Sequence, residues 1–142
     1  MSGSIAKAAR SYEAWRINPA DSNRLALIFD LVADGASFIA AVEIFDQGGC
    51  TPPNKHGVGQ EMFFVLKGEG RAVCDDRTVD VRAGDSLLLK PGTTHALTNT
   101  GPGRLYCLTI MVPDDHFAAL IRDGVRAELD DEDLAVLGRL GG

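Results

Sequence analysis

The chain has three histidines, and two of them fall in segments punctuated by glycine and proline. The first segment runs from Gly48 through Pro52, Pro53, Asn54, His56 and Glu61 to Gly68. The second runs from Gly84 through Lys90, Pro91, Gly92 and His95 to Asn99. Imidazoles and a carboxylate converging from adjacent strands can hold a divalent metal. Glu61 opens an apolar run, so strict alternation places it on one face with Phe63 and Val65. An ionised carboxylate on a buried face needs a partner, and a cation is an efficient one. The simpler readings are an exposed loop position for His56, a satisfied core histidine for His95 and an ion pair from Glu61 to Lys55 or Lys90. His116, between Asp115 and Phe117, reads as helix surface.

These residues need a scaffold, and the surrounding pattern supplies one. Arg24–Leu31, Ser37–Phe45, Gln60–Leu66, Gly70–Cys74, Thr78–Val81, Ser86–Leu89, His95–Asn99 and Arg104–Met111 are short and rich in branched or aromatic residues. Turn signals separate them, among them Asp34-Gly35, Gly48-Gly49, Asp75-Asp76, Pro91-Gly92 and Gly101-Pro102-Gly103. Short strands without intervening helices predict an antiparallel sandwich or barrel. After Pro113 the spacing of Phe117, Leu120 and Ile121, and then of Leu134, Val136 and Leu137, predicts two short helices packed outside the β-domain. The acidic run Asp130–Asp133 reads as the solvated start of the second. Residues 1–22 read as a loosely structured arm, 23–112 as the β-barrel and 113–142 as a helical extension of the same domain.

Composition narrows the function classes. With 45% hydrophobic and 24% charged residues over 142 positions, the chain reads as one globular domain. A domain of this size buries nearly 70% of its unfolded surface, about enough to fold without a metal, so an ion would serve function. The net charge of −6 and the absence of a basic stripe exclude nucleic acid and anionic membranes as expected partners. No apolar run approaches the roughly 20 residues of a membrane span. Three cysteines, Cys50, Cys74 and Cys107, without C-x-x-C spacing suit a thiol-reducing compartment. Met1–Arg10 lacks the apolar stretch of a secretory signal, and the cytoplasm is the expected location. Cys74 and Cys107 read as small buried hydrophobes, and Cys50 has no base near it in sequence to make it a nucleophile.

The two Gly- and Pro-punctuated segments resemble the paired motifs of the cupin superfamily. Gly48, His56, Glu61 and Gly68 match the first motif, G(X)5HXH(X)3,4E(X)6G, in register, with Asn54 where its first histidine belongs. Gly84, Gly92, His95 and Asn99 match the second, G(X)5PXG(X)2H(X)3N, with Lys90 in place of the proline and Pro91 one place later. Eight of ten fixed positions agree, and 15 residues separate the motifs, the short spacing of small microbial cupins.

The resemblance implies an all-β double-stranded β-helix, or jelly-roll barrel, with short C-terminal helices. It also implies one divalent metal per chain inside the barrel, held by His56, Glu61 and His95, with Asn54 at the remaining ligand position. Two histidines and a carboxylate are the facial set of non-haem Fe(II) oxygenases. An amide oxygen from Asn54 would favour Fe(II) or Mn(II), while Zn(II) or Ni(II) also suits imidazoles; asparagine after Pro-Pro is equally a common turn residue. The expected function is a metal-dependent enzyme of dioxygenase, isomerase or lyase type acting on a small organic molecule. The alternative is a cupin that binds or senses a small ligand or metal without turnover. A homodimer is expected, because Gln60–Leu66 carries large apolar residues on both faces, Met62 and Phe64 opposite Phe63 and Val65, and one face needs cover.

Overall fold

The computed structural model describes residues 3–138. A 3-10 turn at Ala9–Ser11 leads into β1 (Glu13–Arg16) and β2 (Arg24–Phe29). A single helical turn, α1 (Leu31–Asp34), precedes β3 (Ile39–Phe45). Then come β4 (Gln60–Lys67), β5 (Glu69–Cys74), β6 (Arg77–Arg82), β7 (Ser86–Leu89), β8 (His95–Asn99) and β9 (Leu105–Val112). The chain closes with α2 (Phe117–Arg122), β10 (Val125–Ala127) and α3 (Asp131–Gly138).

The strands form two antiparallel sheets, one ordered β10-β1-β2-β3-β9-β4-β7 and a smaller one ordered β6-β5-β8. Their facing sides bury Phe45, Phe63, Val65, Ala72, Leu89, Leu97 and Leu105 in one core. Glu61, Phe63 and Val65 alternate inward along β4 as the period of two requires. The corner from β4 to β5 turns at Gly68, whose φ is 97°. A Cβ there would lie 2.7 Å from the Arg104 carbonyl, so both the angle and the close approach demand glycine.

All seven residues of β3 are buried, because the sheet is covered on both faces. Ile39 and Ala41 pack with Leu25, Met111 and Ile121 beneath α2. Val42 and Ile44 pack on the other side with Ala26 and Tyr106, under Val136 and Leu137 of α3. The expected helices therefore exist and lie against the sheet, one on each side.

Three readings of the sequence are corrected. Residues 13–16, read as part of a loose arm, form β1, which pairs with β2 through Ala14↔Ala26 and with β10 through Ala14↔Ala127. The segment after Pro113 is not wholly helical, since β10 extends the large sheet. The acidic run is not merely a solvated helix start. The Asp133 side chain is fully buried and accepts from both terminal nitrogens of Arg24 (2.5 and 3.1 Å), from Arg104 (3.1 Å) and from the Tyr106 hydroxyl (2.8 Å). Asp130 and Asp133 also cap one another's backbone N–H groups at 3.0 Å, a reciprocal box that starts α3. These contacts clamp α3 to the sheet, which is why its apolar residues need only a short helix to cover β3.

Candidate metal centre

The loop between β3 and β4 runs beside β8 rather than into solvent. Thr51 N–H donates to the Leu97 carbonyl at 2.9 Å, and Asn54 and His95 exchange backbone hydrogen bonds of 2.9 and 2.8 Å. Farther along, Gly92 N–H donates to the His56 carbonyl at 2.8 Å. This irregular pairing carries His56 to the start of β8, where His95 is the first strand residue, while β4 brings Glu61 inward between them.

Three donor atoms converge there. His95 Nε2 lies 3.1 Å and His56 Nε2 3.4 Å from Glu61 Oε1, and the ligating atoms of the three residues lie within 4.8 Å of one another. Glu61 and His95 are buried and His56 is half-buried. Glu61 Oε2 accepts from the Thr109 hydroxyl at 2.8 Å, across the β4–β9 pair. Glu61 Oε1 is buried and has no hydrogen-bond partner. Donors held about 2.1 Å from one ion in adjacent coordination positions stand roughly 3.0–3.4 Å apart, which is the spacing found. An orphaned carboxylate oxygen facing two imidazole nitrogens at that spacing fits a shared divalent cation.

The surroundings prepare the ligands. His95 Nδ1 lies 3.3 Å from the Thr93 carbonyl, so a proton on Nδ1 leaves the Nε2 lone pair for an ion. Burial would push the Glu61 carboxyl up, but His56, His95 and Thr109 outweigh it and bring the group down to about 2. The same Glu61 pushes the His56 imidazole up, against burial.

Asn54 is half-buried on the cavity wall, and its amide nitrogen donates to the Pro52 carbonyl at 3.1 Å, as a turn asparagine does. His116 is exposed immediately before α2, in keeping with helix surface. Cys107 is buried, and burial pushes its thiol up to about 12, an inert state.

The triad borders a cavity of about 370 Å³, room for a small organic molecule. Phe63, Leu25 and, from α2, Phe117 and Leu120 supply its apolar walls. The Phe117 ring stands 6.0 Å from that of His56. Asn23 and Glu43 also line it. Sequence reasoning passed over both, although Glu43 carried a signal: it shares its parity along β3 with Ile39, Ala41 and Phe45, an inward carboxyl in an apolar strand.

Comparison with known proteins gives one family model, that of the cupin domain, which matches residues 41–111, half of the chain. An uncharacterised protein of Methanocaldococcus jannaschii is 28% identical over 83 residues, 57% of this chain. That match spans 66% of the relative's own length, just under two thirds. Among solved structures, a predicted oxalate decarboxylase from Thermotoga maritima superposes with a TM-score of 0.68 at 21% identity, covering 77% of this chain and 99% of that one. An RmlC-like cupin from Shewanella frigidimarina gives 0.67 at 16% identity, covering 79% and 93%. KdgF from a Halomonas species gives 0.63 at 14% identity, covering 73% and 91%. At these identities the structural likeness establishes the double-stranded β-helix fold.

Proposed function

The chain belongs to the cupin family, and within it we propose a protein that binds one divalent metal through His56, Glu61 and His95 and acts as a metal-dependent enzyme on a small organic molecule. The observation that carries this reading is Glu61 Oε1, buried without a hydrogen bond and faced by two imidazole nitrogens at 3.1 and 3.4 Å. Fe(II) or Mn(II) suits the mixed nitrogen and oxygen set best, and such an ion supplies Lewis-acid polarisation of an oxygen-bearing substrate, with redox chemistry in addition for iron. The remaining work falls to the chain. Thr109 orients the Glu61 carboxylate, and the Thr93 carbonyl sets the His95 tautomer. Phe63, Phe117 and Leu120 exclude water from the bound molecule. Position 54 stands on the cavity wall, where the Asn54 amide oxygen is a candidate fourth donor.

No helix among the described residues is long and apolar enough to cross a membrane. Three free cysteines accord with a reducing compartment, and we place the protein in the cytoplasm on that ground.

Elemental analysis of the purified protein, followed by a substrate screen with the Mn(II)- and Fe(II)-loaded forms, tests the proposal. One metal per chain, lost in His95→Ala with the β-fold intact by circular dichroism, is the expected result. Unchanged metal content in His95→Ala would remove the site. Stoichiometric metal with ligand binding but no turnover would return the non-catalytic alternative.

A further inference from the structure

The walls of the cavity do not all come from the segment that carries the candidate metal ligands. The family match spans residues 41–111, and His56, Glu61 and His95 lie within it. Ile17, Leu25, Phe117 and Leu120 reach the cavity from outside that stretch, and all four are apolar. They come from the residue after β1, from β2 and from α2. Phe117 and Leu120 are three positions apart and share a face of α2. Leu120 is not what holds that helix to the sheet. Ala118 and Ile121 are fully buried beneath it, and Arg122 pairs with Asp30 at 2.6 Å. Leu120 stays 53% exposed on the cavity wall, apolar surface that a bound molecule would take out of water. This apolar wall begins beside the metal ligands, since the Phe117 ring stands 6.0 Å from that of His56 and the Phe63 ring 6.2 Å from that of His95.

The buried polar side chains of the cavity away from the metal ligands are already engaged. The Asn23 amide nitrogen donates to Glu43 Oε2 at 3.1 Å, and burial pushes the Glu43 carboxyl up to about 8, so the acid keeps its proton at neutral pH. The Asn23 amide oxygen, buried without another donor, is the acceptor for that proton, and the pair closes on itself. Thr51 accepts from the Leu97 N–H at 2.9 Å. We propose that the cavity takes a short carboxylic acid with an apolar tail, its carboxylate at the metal and its tail against Ile17, Leu25, Phe117 and Leu120. This deepens the small-molecule reading above and rests on it.

The choice of head group follows from charge. A divalent ion held by the Glu61 carboxylate and two neutral imidazoles keeps one positive charge in excess. A neutral Glu43 does not cancel it, and Asp21 and Lys55, both exposed on the cavity wall, oppose one another. One anionic group neutralises the site, and a carboxylate is an oxygen donor that suits Mn(II). The choice of tail follows from the walls. A methylene placed against them leaves water at no polar cost. A hydroxyl at the same place loses its water and finds no free partner.

The test uses the full chain, Mn(II)-loaded and metal-stripped, with Mn(II) stoichiometry measured separately so that failure of the metal site shows there alone. Calorimetric titration compares butyrate, hexanoate and 6-hydroxyhexanoate. Hexanoate should bind about tenfold more tightly than butyrate, at roughly fourfold per buried methylene. The hydroxylated acid should bind about tenfold more weakly than hexanoate. Metal removal should weaken all three alike, so the ratio of hexanoate to butyrate reads the walls in either form. Leu120→Ser, at an exposed position, should lower that ratio, and Phe117→Ser with Leu120→Ser should bring it to about threefold or less while Mn(II) content stays the same. Equal binding of butyrate and hexanoate, 6-hydroxyhexanoate as tight as hexanoate, a ratio untouched by these variants, affinity unchanged by metal removal, or no binding of any acid to either form would each overturn the assignment. Should the double variant fail to fold, Leu120→Ser and the wild-type series decide.

Discussion

Glu43→Gln is expected to stabilise the protein, by an amount that grows with pH. Burial lifts the Glu43 carboxyl from its ordinary 4.5 to about 8 in the folded chain. Between those values the folded state keeps a proton that the unfolded state has released, so rising pH favours unfolding. The slope is about 1.4 kcal/mol per pH unit inside the window, which accumulates to roughly 3 kcal/mol at pH 7. Glutamine keeps the hydrogen bond from the Asn23 amide and has no proton to lose. The gain of the variant over wild type should therefore increase by about 2 kcal/mol between pH 5 and pH 7. Urea unfolding of both metal-free proteins at pH 5, 6 and 7 measures it. Glu61, held at about 2, alters stability only as pH falls below its ordinary 4.5, outside the window. His56 is present in both proteins and drops out of the difference. A wild-type-to-variant difference that stays constant over this range would show that Glu43 is ionised in the folded state, and the argument from burial would fail.

Metal affinity should fall with acidification, because Glu61 raises the His56 pKa and a proton then competes for its nitrogen; calorimetry with Mn(II) from pH 7.5 down to 5.5 should show about a tenfold loss per unit below the imidazole range, and a flat profile would exclude His56 as a ligand. Asn54→His should raise Zn(II) or Ni(II) affinity by about tenfold, since imidazole is the better donor for these ions; unchanged affinity, with destabilisation of the metal-free protein by Asn54→Ala, would leave a three-ligand site and a turn role for the Asn54–Pro52 hydrogen bond. Asp133→Ala should lower stability by about 3–5 kcal/mol in urea unfolding by leaving Arg24 buried without its carboxylate; a loss below about 1 kcal/mol would mean that the clamp on α3 is dispensable. Light scattering is expected to give twice the 15.1 kDa chain mass, through the outer face of β4, β7 and β9 where Phe64, Leu66, Leu88 and Val112 stand exposed; a monomer at tens of micromolar would count against the homodimer.

The strands from β2 to β9 were legible because each is short, apolar and bounded by a turn with its own chemistry. Ser86–Leu89 and His95–Asn99 fall where the pattern placed them, since Gly84-Asp85 and Pro91-Gly92 bracket them tightly. β1 and β10 were not legible, for a physical reason. With four and three residues they are too short for alternation to register: β1 is a strand because β2 and β10 pair with it, and β10 because β1 does. Asp133 is a similar case. An acidic residue in the first turn of a helix is ordinarily solvated, and its burial depends on Arg24, more than a hundred positions away in the chain.

The candidate site divides along the same line. His56, Glu61 and His95 could be read together because the β3–β4 loop, β4 and β8 are pinned by short-range turns and by backbone pairing such as Asn54 with His95. Spacing along the chain then translates almost directly into spacing in the cavity. The far wall is built differently. Asn23, Glu43 and Phe117 reach the cavity from the residue before β2, from β3 and from α2, and their meeting depends on the register of the large sheet and on the packing of α2 against Leu25 and Ile39. A one-residue slip of β3 would turn Glu43 outward under α3 and bring Val42 or Ile44 inward in its place. What selects the register is the apolar complement on both faces, Ile39 and Ala41 on one side and Val42 and Ile44 on the other. The end of the cavity with the candidate metal ligands is thus written in local motifs, whereas the far wall is written in long-range packing, so variation in β2, β3 and α2 can reshape that wall while His56, Glu61 and His95 stay as they are.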